Sequence, residues 1–272
     1  MKKIVIILFL FTVSSFYIIN MFIENYKNND PLSHDIKEKS SKYNISSIDA
    51  HINKNTIRSG KYGKKINYDK TYNKMKKYGA YNESLITVEN VKPTISIEDN
   101  YDKYLIGSAN KKDISLVFIG NNLEEVFSIL KKEEVAGTFF IDGIDINKNI
   151  NLLRNTNNEI EILNYNNSYD KNLFKTSISY LESITKNKVN FCYTEDVNIE
   201  LLKLCSRLKL HTIKPSIVIN NNLYSEVKNN LDNIIAIKIN KYTLKELSST
   251  IKYIKSKGYN IKTISNLVKE EF

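Results

Sequence analysis

Apolar positions fall into different regimes along the chain. Ile4 to Ile23 form one uncharged run behind Lys2 and Lys3, close to the ~20 residues that a helix needs to span a bilayer. Residues 25–55 are polar, and Asn28-Asn29-Asp30-Pro31, Ser40-Ser41 and Ser46-Ser47 interrupt any period, which predicts a flexible tether. Residues 56–106 contain a basic stretch, Tyr68 to Tyr78, and a strand-like run, Ser84 to Val88. An ordered collar with a short helix is the expectation there. From residue 107 onward, strand and helix signals alternate. Ile114 to Phe118 reads as a strand, after which Leu123, Val126, Phe127 and Leu130 recur at helical spacing. The runs Ile217 to Ile219 and Ile234 to Ile239 read as further strands, with helix-like segments over 173–184 and 198–208. Thr243 and Glu246 form a capping-box pattern opening a helix whose buried stripe is Leu244, Leu247, Ile251 and Ile254, with Gly258 placed to end it. Such alternation predicts a parallel sheet covered by helices. It does not distinguish a barrel from an open doubly wound sheet.

Composition narrows this picture. The N-terminal third of the 272-residue chain lacks regular apolar periodicity, so one folded domain of roughly 160 residues, 107–272, is expected. The formal charge of +10 attracts polyanions in general. That charge is spread along the chain, however, and the recognition motifs of the common nucleic-acid modules are absent, so a nucleic-acid partner is not expected. Lysines ahead of the apolar run predict a cytoplasmic N-terminus. No A-x-A-like site follows the run, so residues 1–24 read as an uncleaved signal anchor of a single-pass cell-membrane protein whose domain faces outward. A cleaved signal peptide is the alternative. Export would permit a disulfide between Cys192 and Cys205, which needs Cα atoms within ~7 Å; two buried free thiols are expected instead. Glu195 and Asp196, adjacent acids before a helix, read as cap and dipole partners. His34, His51 and His211 are scattered, and no composite metal site is expected from them. No serine nucleophile elbow or glycine-rich phosphate loop is present.

The segment with Ile114 to Phe118 and the following helix, Val135-Ala-Gly-Thr-Phe-Phe-Ile-Asp-Gly143, and the Lys257-Gly-Tyr-Asn-Ile-Lys-Thr-Ile264 element within 243–268 resemble the polysaccharide deacetylase (NodB-homology, carbohydrate esterase family 4-like) family. The resemblance implies an α/β fold, a distorted (β/α) barrel, here preceded by the transmembrane helix and polar tether. It also implies a divalent metal, usually zinc, held by one Asp and two His beside a catalytic Asp. In this chain those positions lack the chemistry. Where the family has T-F-D-D-G, Val117-Phe118-Ile119-Gly120-Asn121 stands, so base and metal carboxylate fall on Ile119 and Gly120. The H-x-x-x-H pair falls on Leu163 and Asn167, or with a three-residue shift on Asn166 and Asp170. Cys192-Tyr-Thr-Glu195 replaces R-P-P-Y, and the late histidine falls near Lys238. Zinc takes about three N, S or carboxylate ligands plus an open position, so no catalytic residue, metal or cofactor is expected.

Ligands of such barrels sit at the carboxyl ends of the strands. The residues expected there are Asp142, Asn164, Tyr165, Asn167, Asp170, Tyr193, Glu195 and Lys238. Tyrosine faces cover the apolar side of a sugar while amides meet its hydroxyls, so these residues form a candidate glycan-binding cleft. The expected function is that of an inactive deacetylase-like protein binding cell-wall glycan, an anionic wall polymer or a wall-associated partner. The alternative is an active hydrolase deacetylating N-acetylated wall polysaccharide with a relocated site.

Overall fold

The computed structural model describes residues 2–166 and 168–271, with side-chain surroundings from Thr12 onward. In chain order the regular elements are α1 (Lys2–Asn29), α2 (Pro31–Ser40), β1 (His51–Asn53), β2 (Thr56–Arg58), β3 (Gly63–Ile66), α3 (Tyr68–Tyr78), β4 (Val88–Val91), β5 (Leu105–Ser108) and β6 (Asp113–Ile119). There follow α4 (Leu123–Lys132), β7 (Thr138–Ile141), α5 (Ile150–Arg154), β8 (Glu159–Ile162), α6 (Lys171–Thr185), β9 (Phe191–Tyr193) and α7 (Ile199–Arg207). The remainder are β10 (His211–Ile213), β11 (Ile217–Ile219), α8 (Leu223–Asn229), β12 (Ile234–Lys238), α9 (Lys241–Ser256), β13 (Asn260–Ile261) and α10 (Ile264–Val268).

The chain divides into two units, Met1–Ser47 with Tyr62–Lys92, and Ile48–Lys61 with Pro93–Phe272. In the first, β3 and β4 pair antiparallel, and Ile36, Tyr72 and Met75 form a small core. Asp30 caps α2 and accepts hydrogen bonds from Lys76 and Tyr72; these bonds hold its carboxyl down at about 2. The stretch read as a tether thus carries an ordered helix, α2. The strand expected at Ser84 to Val88 lies later, at Val88–Val91, behind a turn over Glu83–Leu85.

The expected transmembrane helix is not found. Among the described residues no helix is long and apolar enough to cross a membrane. The side chains of Ile4 to Phe11 lie outside the described residues, and the rest of the run, Thr12 to Ile23, is too short alone and is broken by Thr12, Ser14, Ser15 and Asn20 before Glu24.

The second unit holds the barrel. One sheet has the order β11-β12-β6-β7-β8, all parallel. The other is β1-β2-β5-β10-β9, parallel except for the β1–β2 hairpin. Strands from the collar region therefore belong to the barrel's second sheet, because β2 and β5 ladder onto β10. Parallel strands buried on both faces explain the near-continuous apolar runs. On β6, Ile114, Leu116 and Phe118 point out beneath the helices, where Phe118 stacks on Phe139 at 4.8 Å. Val117, between them, points in toward Phe140, Tyr193, Ile213 and Ala236. Ile264, Leu267 and Val268 of α10 join that interior core.

The two sheets meet at β8 and β9 without a strand ladder among the described residues. A side chain bridges the seam instead: Glu161 accepts from the backbone N–H groups of Asn190 and Phe191, each at 2.9 Å. Its other oxygen is buried without a partner. Burial, and secondarily Glu159, push this carboxyl well above the ordinary glutamate range.

Helix α9 begins one turn before the expected capping box. Asn240 is the N-cap, accepting from the N–H groups of Tyr242 and Thr243 while Thr243 Oγ1 accepts from the Asn240 N–H. Glu246 instead accepts from the Tyr224 N–H of α8. Cys192 and Cys205 form a disulfide with Cα atoms 6.4 Å apart, in place of the expected free thiols. It ties the end of β9 to α7, whose buried side packs both sulfurs into the outer core.

Candidate functional site: the barrel mouth

The carboxyl ends of β6, β7, β8, β9 and β12 converge on one rim; β6, β7 and β8 end in isoleucines, β12 in the paired Lys238 and β9 in the buried Tyr193. Ile119 closes β6, in register with Lys238 of β12 and Phe140 of β7. Gly120 follows with φ +120°, a conformation that L side chains rarely adopt. An aspartate there would be strained even though the space for a Cβ exists beside Ile239.

Asp142 follows β7 and caps the turn over Gly143–Asp145. Its Oδ1 accepts from the Ile144 N–H at 3.1 Å and from the Asn166 N–H at 2.8 Å, so it clamps the loop after β8 to the end of β7. Gly143 is fixed by close approach: a Cβ would lie 2.7 Å from the Tyr165 ring and 2.5 Å from Ser177 Oγ. Tyr165 therefore serves as packing over that turn. Asn167 lies outside the described residues. Asp170, the ligand that a shifted register would supply, is the N-cap of α6 and accepts from the N–H groups of Asn172 and Leu173, both at 3.0 Å. Leu163 packs against the barrel interior.

Lys238 and Glu195 form an ion pair at 2.8 Å, with side chains 40% and 41% exposed. Because β12 and β9 belong to different sheets, this pair crosses the mouth. Beneath it Tyr193 is buried, its ring 5.2 Å from that of Phe140 and its hydroxyl without a partner. Burial, then Glu195 and Tyr169, push the Tyr193 phenol far up, so it stays a neutral donor. The buried Asn164 Oδ1 also has no partner. Burial raises the Tyr169 phenol, while a hydrogen bond from Asn164 opposes that shift. Tyr169 is thus a rim residue that sequence reasoning missed; nothing in the local pattern sets it apart from the other tyrosines. The structure brings Asn164, Tyr193, Glu195 and Lys238 to the mouth, whereas Asp142, Tyr165 and Asp170 are spent on loop and helix geometry.

A zinc ion does not fit this donor set. Its carboxylate positions are Ile119 and Gly120, Asp170 is a cap, and a lysine ammonium already lies at the rim. Among the described residues no three His, Cys, Asp or Glu side chains cluster as a metal site would need.

No family model matches the chain. It is 30% identical over 132 residues to the uncharacterized protein YlxY of Bacillus subtilis (strain 168), a match that covers 46% of this chain and 41% of that protein. Its fold is similar to that of wild-type BA3943 of Bacillus anthracis, a CE4 family pseudoenzyme, with a TM-score of 0.67 and 21% identity over 89% of this chain and 99% of the other. It is also similar to PdaA of Bacillus subtilis, a family 4 carbohydrate esterase, with a TM-score of 0.52 and 20% identity over 63% of this chain and 86% of the other. At such identities the likeness establishes the fold, and the fold that the three sequence segments imply is the one observed.

Proposed function

We propose that this chain is a catalytically silent deacetylase-like protein, working outside the cytoplasm, whose barrel mouth binds cell-wall glycan. The observation that carries the reading is the Lys238–Glu195 pair closing a mouth whose two acid positions are Ile119 and Gly120. Deacetylation in this fold calls for a base and a Lewis acid on the same side of the substrate carbonyl; the carboxylates of Glu195, Asp142 and Asp170 are committed to a lysine or to backbone N–H groups. The Tyr193 hydroxyl and Asn164 Oδ1 supply a buried donor and acceptor with no internal partner, and an unmade buried hydrogen bond is costly unless a ligand or water completes it. A sugar hydroxyl can do both. The likeness to BA3943, named a pseudoenzyme, supports the view that this scaffold persists without its reaction. The disulfide supports export, since such bonds persist in oxidising compartments.

The test combines two measurements on the full chain. Acetate release from chitin oligomers and peptidoglycan, with added zinc, cobalt or manganese, is expected to be nil. Pull-down on purified peptidoglycan is expected to retain the wild type and to retain Tyr193→Phe and Tyr169→Ala less well. Metal-dependent acetate release that disappears in Asp142→Asn or Glu195→Gln would overturn the silent reading. Binding indifferent to both tyrosine changes would overturn the assignment of the mouth.

A further inference from the structure

We infer that a second cleft, distinct from the mouth in its lining residues, binds phosphate groups. It is a cleft of about 460 Å³ where the chain passes from β10 to β11 at Lys214-Pro215-Ser216, beside the end of β5 and the β1–β2 hairpin. That volume lies in the range of small-ligand sites.

Its charge is one-sided. Arg58, Lys214 and His51 line it, against a single lining carboxylate, Asp232. Among the described residues neither Arg58 nor Lys214 takes part in an ion pair. Both line the same cleft without an ion pair of their own, so the local balance of charge there is positive. Both are held on paired backbone. Arg58 follows a register shift in β2 and pairs with Ser108 of β5, and the Lys214 N–H donates to the Ile106 carbonyl at 2.9 Å. Lys214 is half-buried and Pro215 fully buried, so the ammonium stem is constrained where a surface lysine would sweep freely.

The remaining polar groups are largely used to shape the walls. Thr56 Oγ1 donates to the Asn53 carbonyl at 3.0 Å, Ser216 Oγ to the Gly107 carbonyl at 3.3 Å, and Asn233 Nδ2 to the Lys111 and Asp113 carbonyls at 3.0 and 2.8 Å. Asp232 Oδ1 accepts from the Asn233 N–H at 2.6 Å. What is left over is a guanidinium fork and an ammonium. A guanidinium meets phosphate oxygens in pairs and an ammonium acts as a point charge beside it. An exposed guanidinium beside a half-buried ammonium favours a compact, doubly bonded anion over a dispersed one.

The phosphate can come from a small soluble phosphate or from the diester backbone of an anionic polymer. Isothermal titration of the full chain with inorganic phosphate, and separately with poly(glycerol phosphate), distinguishes the two. Saturable binding of either probe is expected. Arg58→Ala with Lys214→Ala is expected to weaken it by more than about tenfold, and Arg58→Lys to weaken it less. Asp232→Asn, which keeps the Oδ1 acceptor and removes the opposing charge, is expected to tighten it severalfold, so loss of fold cannot imitate the whole pattern. Lys171→Ala with Lys175→Ala on α6 removes the same net charge elsewhere and is expected to change nothing. Equal weakening by that control pair, an unchanged affinity in the Arg58 and Lys214 variant, or no binding of either probe overturns the proposal.

Discussion

Replacing Glu161 tests whether one side chain joins the two sheets of the barrel. In Glu161→Ala the N–H groups of Asn190 and Phe191 lose their shared acceptor. Each buried N–H left unsatisfied costs about 1–3 kcal/mol, so about 2–6 kcal/mol of unfolding free energy should vanish. Glu161→Gln keeps an acceptor oxygen at the same reach and should lie within about 1 kcal/mol of wild type in mild acid, where the native carboxyl is protonated. The pH dependence separates this account from a simple packing loss. The folded carboxyl is raised well above its ordinary 4.5, so the folded state binds the proton more tightly than the unfolded state. Its contribution is fully present below the unfolded value and is lost as pH rises through the folded value. Wild type should therefore lose up to about 1.4 kcal/mol per pH unit relative to Glu161→Gln across that window, with Gln becoming the more stable form at the upper end. The assay is denaturant unfolding at a series of pH values followed by tyrosine fluorescence and circular dichroism, since the chain has 18 tyrosines and no tryptophan. A wild-type-to-Gln difference that stays flat with pH, or a Gln variant as damaged as Ala, would refute the reasoning.

Further outcomes follow from single features of the fold. Cys192→Ser with Cys205→Ser opens a crosslink of 13 residues' separation and should lower stability by about 3 kcal/mol, read as a fall in denaturation midpoint that added reductant reproduces in wild type. Gly120→Ala places a Cβ at φ +120° and should cost about 1–3 kcal/mol; an unchanged melting temperature would show that the turn can relax and that an aspartate could be reinstated there.

Much of the architecture is legible locally, and the site is legible only in outline. Helix α3 and the inward stripe of α9 follow from spacing and capping chemistry, both of which act within one or two turns. The strand ends are legible because parallel strands put the rim at the residues just past each apolar run. What a side chain does at that rim depends on partners far away in sequence. Asp142 looks like a cleft residue until the Asn166 N–H arrives from the next loop. Lys238 and Glu195 look like independent surface charges until the sheets bring them together. The expectation of free thiols fails for the same reason, because the 6.4 Å separation is set by how α7 packs back on β9. The N-terminal run misled through composition: average apolarity does not register the hydroxyls and the amide that punctuate it.

Glu270 has a consequence for the order in which the barrel can be finished. Its carboxylate accepts from the N–H groups of Gly60 and Ile97 and from the Ser96 hydroxyl, across sequence separations of 210, 173 and 174 residues. A ribosome adding about 5–20 residues each second takes roughly 10–40 s to travel from the first of these partners to Glu270. Through that interval the backbone donors at residues 60 and 97 await a partner not yet made, beside the incomplete sheet of β1, β2 and β5. Unfinished strand edges recruit other chains. The collar is therefore the last part of this molecule to become safe, and what protects it until then must come from outside the chain or from the speed of the steps that follow.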